Sequence, residues 1–512
     1  MNFRRCKGTQ TLWQDTDGSF SNFDFVDRHY GSDPILRRVF SLARKLGYQS
    51  VLVEEISSAD CSLMAEEDEA LAVRCPDFRG SVVTRFVFLP QLKSVKPQPE
   101  IALGYAVFKK DQFGPEYVGH LYEAVLRPPR RQQENNFIHC SQRYDILTSE
   151  GTFKTEGVLY AQQNDRTCVC AHVALRSALS CMLPEADVTY ARMNQLCGVD
   201  HRTRRVGEQH GGLGVDDIEN ILAGLEVPFG KIVNEPGDEA PLPVDFEYQR
   251  DLYGYLESGC PVLLGFELDQ VAGEDPLADS KSRRHLIPVI GHTLNEDAWV
   301  PPAQRMYFAH DSGYYPSENW LSSYVIHDDN VGPYYCLPRH YLKRDNFRLV
   351  LGLKRRATPT SAVDAEALAF SFATTISRDM GMSGESWFDR FVAFSNCGLL
   401  ALRTVLVRKD EYLGHLFLVR DREGNLVETE VQASVRELLP DWCWVVEISA
   451  PELFASSRRK FGEVLLSLED VPAFLMARLP GHFVLRQSTG ELAVGKTQLR
   501  GHTDLFLFPR PC

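Results

Sequence analysis

The sequence lacks the features that mark membrane proteins, zinc fingers and secreted disulfide-rich proteins. No window of its 512 residues approaches about 18 consecutive uncharged apolar residues, so no membrane-spanning helix is predicted. The chain has 13 cysteines, an odd number, and no two of them form a Cys-x-x-Cys pair. No apolar stretch follows the basic residues near the start, so no secretory signal is predicted. We therefore expect reduced cysteines and a cytoplasmic protein.

Basic charge is also scarce. The chain carries 55 basic and 69 acidic residues, which gives a formal net charge of −14. A nucleic-acid partner requires a clustered basic face, so we expect no nucleic-acid binding, and no membrane binding either. Hydrophobic residues make up 44% and charged residues 24% of the chain, which is typical of a globular protein with several hydrophobic cores.

Changes in composition divide the chain into three regions. Proline- and arginine-rich stretches interrupt the first region, and Arg355–Ala362 is typical of a linker before the third. We predict an N-terminal α+β domain of unknown role over residues 1–150 and a central domain over residues 151–357. A β-rich C-terminal domain is predicted over residues 358–512. Its expected role is to bind a substrate or a partner.

Local patterns predict individual elements in the two outer regions. Ser32–Leu46 is predicted to be a helix, because Ser32 or Asp33 can cap it and a glycine follows it. In the third region, Leu416–Arg420 and Trp442–Ile448 are predicted to be strands. A helix is predicted within Glu463–Met476, although a proline inside this range should interrupt it.

The central region contains a cysteine at the start of an apolar helix. Small or apolar residues follow Cys170 at intervals of three to four residues, which predicts a helix with one face toward a core. The N-terminus of a helix favours the thiolate form of a cysteine, because its free amides and dipole stabilise negative charge. Cys168, two residues earlier, is the alternative nucleophile. Gln162 or Gln163 can direct a side-chain amide toward the oxyanion that forms when a thiol attacks a carbonyl.

A histidine and a carboxylate follow downstream. His285 opens an apolar strand, and Asp328 closes a later one. If the two strands pair antiparallel, the end of one lies beside the start of the other, so Asp328 can orient the imidazole of His285. Asp329, next to it, and Asp311, inside the insertion between these strands, are the alternatives for this role.

Four segments in this order carry a resemblance to a known family: Cys170–Leu175, the glycine-rich Gly211–Ile218, Asp251–Leu263 with its Gly-Cys-Pro turn, and His285–Gly291. They resemble the papain-like cysteine peptidases, and most closely the bacteriocin-processing, leader-cleaving type of peptidase domain. The resemblance covers about residues 155–340. It departs from the family in the spacing between glutamine and cysteine, which is seven residues from Gln163 to Cys170.

The resemblance implies an α+β, multidomain chain with a central papain-like cysteine peptidase fold between the two flanking domains. It implies a cysteine-dependent hydrolase, a thiol peptidase or isopeptidase that acts on a protein or peptide without cofactor or metal. Cys170 would be the nucleophile, His285 the general base, Asp328 its orienting residue and Gln163 the oxyanion donor. The alternatives are a transglutaminase-like or acyltransferase enzyme with the same triad, and a catalytically dead scaffold. The flanking domains are expected to select the substrate.

Overall fold

A computed structural model shows an α+β protein. Its helices are interspersed with runs of consecutive β-strands. The structure describes residues 8, 10–15, 22–57, 61–91, 101–129, 136–138, 140–164, 166–183, 186–203, 212–234, 248–267, 284–294, 314–343, 346–354, 362–379, 386–418, 429–451, 453, 459–469, 473–479, 482–487 and 489–496. None of the helices in these ranges has an apolar stretch long enough to cross a bilayer.

The described helices are α1 (Asn22–Tyr30), α2 (Pro34–Lys45), α3 (Ser62–Arg74), α4 (Cys170–Met182), α5 (Tyr190–Leu196), α6 (Val215–Gly224), α7 (Tyr248–Glu257), α8 (Ala362–Asp379), α9 (Ser386–Asn396), α10 (Lys409–Leu418) and α11 (Thr429–Leu438). Two short 3-10 helices lie at Ser317–Trp320 and Arg339–Tyr341.

The first eight strands are β1 (Gln10–Asp15), β2 (Ser50–Ile56), β3 (Phe78–Leu89), β4 (Gly104–Phe113), β5 (Glu116–Leu126), β6 (Asn136–Phe137), β7 (Gln142–Thr148) and β8 (Gly151–Tyr160). The next seven are β9 (Phe229–Val233), β10 (Val262–Glu267), β11 (Arg284–Leu294), β12 (Tyr314–Pro316), β13 (Leu321–Asp328), β14 (Gly332–Pro338) and β15 (Phe347–Leu353). The remaining strands are β16 (Leu400–Arg408), β17 (Trp442–Ser449), β18 (Gly462–Leu466), β19 (Phe474–Leu479), β20 (His482–Arg486) and β21 (Leu492–Lys496).

These strands form three sheets. The N-terminal sheet has the order β1-β2-β3-β4-β5-β8-β7, and the central sheet has the order β14-β13-β11-β10-β15-β9, with β6 paired to β11. The C-terminal sheet has the order β12-β16-β17-β18-β19-β20-β21. In the central sheet, β10 pairs antiparallel with both β11 and β15.

The chain divides into two compact units. Unit 1 comprises Met1–Pro243, Cys260–Gly291 and Tyr324–Lys354, and unit 2 comprises Val244–Gly259, His292–Ser323 and Arg355–Cys512. The expected boundary between residues 150 and 151 lies in the turn of a hairpin, because β8 pairs with β7 on one side and with β5 on the other.

Several elements agree with the sequence-based expectations, and two do not. Helix α2 begins after Asp33, whose carboxylate accepts the backbone N–H of Leu36 at 2.6 Å, and β17 matches the predicted strand. The strand predicted at Leu416–Arg420 is wrong, because its first three residues end helix α10. The helix predicted within Glu463–Met476 is also wrong, because β18 and β19 occupy the two ends of that range.

Helix α4 packs on the central sheet. Its buried side chains share a hydrophobic core with Leu263 of β10, Leu286 of β11 and Leu351 of β15. Strands β11 and β13 are neighbours in this sheet. The start of α4, the start of β11 and the end of β13 carry the residues that the sequence singled out for chemistry.

Candidate active site

Cys170 is the first residue of α4, and it is half-buried. Val169 precedes it in an extended conformation and donates its backbone N–H to Nδ1 of His172 at 3.4 Å. Cys168 belongs to the hydrophobic core, is only 1% exposed, and places its sulfur 3.6 Å from Oδ1 of Asn164. Of the two candidate thiols, Cys170 is therefore the one that a substrate can reach.

His285 lies between this thiol and two carboxylates. It is the second residue of β11, and the thiol of Cys170 is close enough to its side chain to help raise the pKa of the imidazole. Its Nε2 lies 3.4 Å from Oδ1 of Asp328 and 3.4 Å from Oδ1 of Asp329. The ring of Phe266 packs edge-on against the imidazole, with 5.6 Å between ring centroids. The geometry thus brings together a thiol, an imidazole and an orienting carboxylate.

The surroundings of His285 favour its charged form. Burial alone would lower the pKa of the imidazole, but hydrogen bonds with Asp328 and Cys170 and the charges of both aspartates outweigh it and raise the pKa to about 10. Burial would likewise raise the pKa of Asp328, but the hydrogen bond and charge of His285 and two backbone N–H groups lower it. An imidazolium paired with a carboxylate is therefore the neutral-pH state of the site.

Two adjacent aspartates share the orienting position. Asp328 ends β13, and its Oδ1 accepts the backbone N–H of Asn330 at 2.8 Å, which stabilises the turn toward β14. The side chain of Asp329 is 2% exposed, compared with 13% for Asp328. Both lie at the same distance from Nε2 of His285, so the structure places both alternatives at the site. Asp311, the third alternative, lies outside the described residues.

The same three side chains have the donor set of a cation site. Single ligand atoms of His285, Asp328 and Asp329 lie within 4.8 Å of one another. A metal ion requires the neutral imidazole as a ligand, whereas the raised pKa of His285 favours the protonated ring. A divalent cation would thus have to displace a proton from this cluster, so its binding would strengthen with rising pH.

The two candidate glutamines have different surroundings. Gln162 continues the pairing of β5 and β8, because its Oε1 accepts the backbone N–H of Leu121 at 2.8 Å and its own N–H donates to the Leu121 carbonyl at 3.1 Å. Gln163 is half-buried, and no other residue in the described ranges hydrogen-bonds its side chain. Gln163 is therefore the glutamine whose amide is available to a substrate.

Polar contacts with β8 and α2 fix the hairpin of β13 and β14. Tyr160 donates its hydroxyl to the carbonyl of Asp328 at 3.3 Å, and His327 lies 3.1 Å from the carbonyl of Leu159. Burial lowers the pKa of His327 to about 3, so this ring is a neutral structural group. Arg38 of α2 donates to two carbonyls of β14 at 3.0 Å. These contacts fix the position of the aspartates.

The loop before Cys170 is shaped by Asn164. Its side-chain oxygen accepts three backbone N–H groups, those of Arg166 at 3.0 Å, Thr167 at 2.8 Å and Cys168 at 3.2 Å. One side chain thereby closes the turn that leads into α4.

A buried ionic cluster beside the loop was not predicted from the sequence. Lys109 is fully buried, and its ammonium lies 2.9 Å from Glu67, 3.0 Å from Asp68 and 2.9 Å from Asp111. Its signal in the sequence is a lysine that directly follows the apolar run of β4, together with four consecutive acidic residues, Glu66–Glu69, in α3. Buried charges require partners, so these two segments could have been matched to each other.

No protein-family model, curated protein or solved structure matches this chain. The expected relationship to papain-like peptidases therefore stays a prediction. The chemistry of the site is interpreted from its own residues.

Proposed function

We propose that the protein is a cysteine-dependent hydrolase, a thiol peptidase or isopeptidase with a papain-like core, that acts on a protein or peptide substrate. The closeness of the Cys170 thiol to His285, which helps to raise the pKa of the imidazole, is the observation that carries this proposal. The thiol begins a helix, and the imidazole is paired with carboxylates on its other side. This is the arrangement that nucleophilic thiol catalysis requires.

The proposed reaction proceeds through a thioester. The thiol proton already resides on His285 as part of its imidazolium, and the sulfur of Cys170 attacks the carbonyl carbon of an amide. The side-chain amide of Gln163 and the backbone N–H of Cys170 donate to the resulting oxyanion. His285 returns the proton to the leaving amine as the carbon–nitrogen bond breaks. Water then attacks the thioester with His285 as the base, which releases a carboxylic acid and restores the thiol. Asp328, with Asp329 beside it, keeps the imidazole oriented throughout.

The order of elements supports the papain-like part of the proposal. Helix α4 begins with the nucleophile, the glycine-rich segment leads into α6, and α7 is followed by core strand β10 and then by the histidine strand β11. A cytoplasmic location is part of the same proposal, and it is consistent with the free thiols of all eleven cysteines in the described ranges.

Turnover of a small activated ester, which any thiol hydrolase should accept, tests the proposal. Wild type, Cys170→Ala and Cys168→Ala are compared as full-length proteins. We expect Cys170→Ala to lose turnover and Cys168→Ala to retain it. Turnover that is lost only in Cys168→Ala, or that is absent from the wild type, would contradict the proposal.

Two additions separate the neighbouring chemistries. An added primary amine diverts the thioester into an amide product if the enzyme is an acyltransferase, whereas a hydrolase forms mainly the free acid. EDTA abolishes turnover if the cluster of His285, Asp328 and Asp329 holds an essential cation. We expect turnover that is insensitive to EDTA and a free-acid product.

A further inference from the structure

The loop before Cys170 is anchored to helix α3, which shares a hydrophobic core with strands of the N-terminal sheet. Glu67 of α3 accepts a hydrogen bond from Nδ2 of Asn164 at 2.6 Å and another from the hydroxyl of Thr167 at 3.0 Å. Nδ2 of Asn164 also donates to the hydroxyl of Thr167 at 2.7 Å. The NH2 group of Asn164 thus binds this anchor, whereas its side-chain oxygen closes the turn before Cys170.

Two cationic side chains add to this anchor. Arg74, about two helical turns further along α3, donates to the backbone carbonyl of Arg166. The guanidinium of Arg166 lies over the ring of Phe113, the last residue of β4, at 4.1 Å from its centroid. The loop is thus held at three successive described positions, 164, 166 and 167, by groups that precede it by about 50–100 residues in the sequence.

The charge of Glu67 determines how Asn164 is oriented. Burial would raise the pKa of Glu67, but the charges of Lys109 and His120 and the hydrogen bonds from Lys109 and Thr167 lower it. An ionised carboxylate only accepts hydrogen bonds. Asn164 must therefore turn its NH2 group toward Glu67, which leaves its oxygen for the three backbone N–H groups of the turn. A carboxylate on helix α3 thus fixes an amide in the nucleophile loop.

We propose that Glu67 is a positioning residue for the nucleophile, which acts through the hydrogen bonds from Asn164 and Thr167 that set the loop before Cys170. The inference rests on the proposed function, and it assigns to the N-terminal region a part in catalysis beyond substrate selection. The same turn carries Gln163 on one side and Cys170 on the other. A change in the anchor therefore shifts the oxyanion donor and the nucleophile relative to each other.

Glu67→Gln removes the charge and keeps the shape. The single oxygen of the glutamine is drawn to the ammonium of Lys109, so its NH2 group faces the NH2 group of Asn164. Asn164 then loses this bond or turns its oxygen away from the turn. A misplacement of reacting groups by about 1 Å costs about a hundredfold in rate. We expect alkylation of Cys170 by iodoacetamide, and ester turnover, to slow by about tenfold to a hundredfold with KM little changed.

A second substitution restores the bonding pattern. Asn164→Asp alone places two carboxylates side by side and should also be slow. In the double variant Glu67→Gln/Asn164→Asp, one aspartate oxygen accepts the three backbone N–H groups and the other accepts from the glutamine NH2. We expect the double variant to recover most of the lost rate. A role in stability alone predicts no such recovery of Cys170 reactivity.

Asp68→Asn is the matched control. Asp68 contacts the same ammonium of Lys109 and accepts from the hydroxyl of Ser81 at 2.6 Å. Neither of these contacts involves the loop. We expect Asp68→Asn to be less stable than the wild type while Cys170 reacts at the wild-type rate. The exposed Cys397 serves as the internal reference thiol, and its alkylation should be the same in every variant.

The results separate the two proposals. Slow single variants with a recovered double variant support the positioning role, even if the wild type shows no ester turnover, which would reject only the hydrolase. Single variants that react like the wild type, or a double variant as slow as the slower single, overturn the positioning role and leave the hydrolase standing. If Glu67→Gln does not fold, Thr167→Val carries the test, because it removes a bond of the anchor and keeps the charge.

Discussion

Each compact unit contains a lysine buried among carboxylates, and the two clusters serve different parts of the structure. In unit 1, Lys109 contacts three carboxylates, and one of them, Glu67, extends to the loop before Cys170. In unit 2, Lys460 contacts Glu447 at 2.6 Å and also Glu463. Both ammonium groups are fully buried. Both clusters pair a buried ammonium with carboxylates, but the carboxylates contact different parts of the structure.

The cluster of unit 2 is built into a sheet. Arg403, Glu447, Glu463 and Arg478 lie directly opposite one another on β16, β17, β18 and β19. Arg403 lies 2.8 Å from Glu447, and Arg478 lies 2.7 Å from Glu463. The hydroxyl of Tyr412 on α10 donates to Glu463 at 2.6 Å. These contacts join four strands and the helix that covers them, so they specify the register of the sheet.

The comparison shows that a buried ionic cluster gains a functional role through one additional contact. Both clusters contribute to folding, because removing a partner of a buried charge is costly. Only the cluster of unit 1 has a carboxylate oxygen that accepts from a loop next to a candidate nucleophile. Substitutions that disturb Glu67 should therefore change stability and Cys170 reactivity together, whereas substitutions in the cluster of unit 2 should change stability alone.

The largest expected effect comes from removing either lysine. Lys109→Met and Lys460→Met each leave carboxylates buried without their cation, which costs about 3–5 kcal/mol of folding free energy. Hydrogen exchange measured by mass spectrometry should show the loss in the N-terminal sheet for the first variant and in the C-terminal sheet for the second. Only Lys109→Met should slow the alkylation of Cys170.

Equal slowing of Cys170 in both lysine variants would contradict the comparison. It would mean that general destabilisation, rather than the anchor, controls the thiol. Alkylation of the exposed Cys397 in the same samples shows whether reagent access or unfolding contributes.

Alkaline pH should affect the site and leave the cluster of unit 2 in place. The pKa of His285 is raised from 6.5 to about 10 in the folded protein. Its stabilising contribution is therefore fully present below about pH 6.5 and is lost as pH rises through about 10. We expect ester turnover to fall about tenfold for each pH unit above 10, because the imidazolium that protonates the leaving group disappears. A pH–rate profile of the wild type checks this.

An alkaline limb near pH 7 instead of 10 would show that the aspartates do not hold the proton on His285. His285→Gln is the control for stability. It should show no loss of protection in β11 between pH 7 and 10, whereas the wild type should lose protection there.

A smaller effect should separate the two aspartates of the site. Asp328→Asn removes the carboxylate that hydrogen-bonds to His285, and such a bond between charged groups is worth about 1.5–3 kcal/mol. We expect a loss of turnover of about 10–100-fold. The pH–rate profile should also begin to fall at a lower pH, because the pKa of His285 falls. Asp329→Asn should lower the pKa of His285 less, since its contribution is by charge alone. The reverse order of the two variants would assign the orienting role to Asp329.

The sequence predicted parts of the fold and site that depend on neighbouring residues. Asp33 caps α2 within its own turn, and Cys170 and His285 each lie near the start of an element that its local pattern defines. The orienting residue was less certain, because Asp328 and Asp329 are adjacent and the turn after β13 allows both to reach the same nitrogen. Local patterns do not decide between two such neighbours.

The sequence failed where the deciding contacts are distant. Val464 and Leu465 of β18 face different cores on the two sides of the sheet, so no alternation of polar and apolar residues marked this strand. Its Glu463 is buried against Arg478 of β19, a contact that no local pattern indicates. The contact of Glu67 with the nucleophile loop spans about a hundred residues, and no local pattern indicates it.

The smallest expected effect comes from a matched pair of hydroxyl groups. Thr167 donates to Glu67 at 3.0 Å, and Tyr412 donates to Glu463 at 2.6 Å, so each hydroxyl ends on a carboxylate of its own cluster. Thr167→Val and Tyr412→Phe remove these hydroxyls and little else. Each should cost about 0.5–1.5 kcal/mol, the usual net worth of one hydrogen bond. Urea unfolding followed by hydrogen exchange measures the loss of folding free energy in unit 1 for Thr167→Val and in unit 2 for Tyr412→Phe.

The two hydroxyl variants should differ in the reactivity of Cys170. Thr167 lies three residues before Cys170 and also accepts from Asn164, so Thr167→Val loosens the turn from two directions. We expect its Cys170 to react about three- to tenfold more slowly with iodoacetamide, while Tyr412→Phe reacts like the wild type. A Thr167→Val protein that is destabilised but has wild-type Cys170 reactivity would show that the anchor serves folding alone. The cluster of unit 1 would then have the same role as the cluster of unit 2, and the charge of Glu67 would have no part in catalysis.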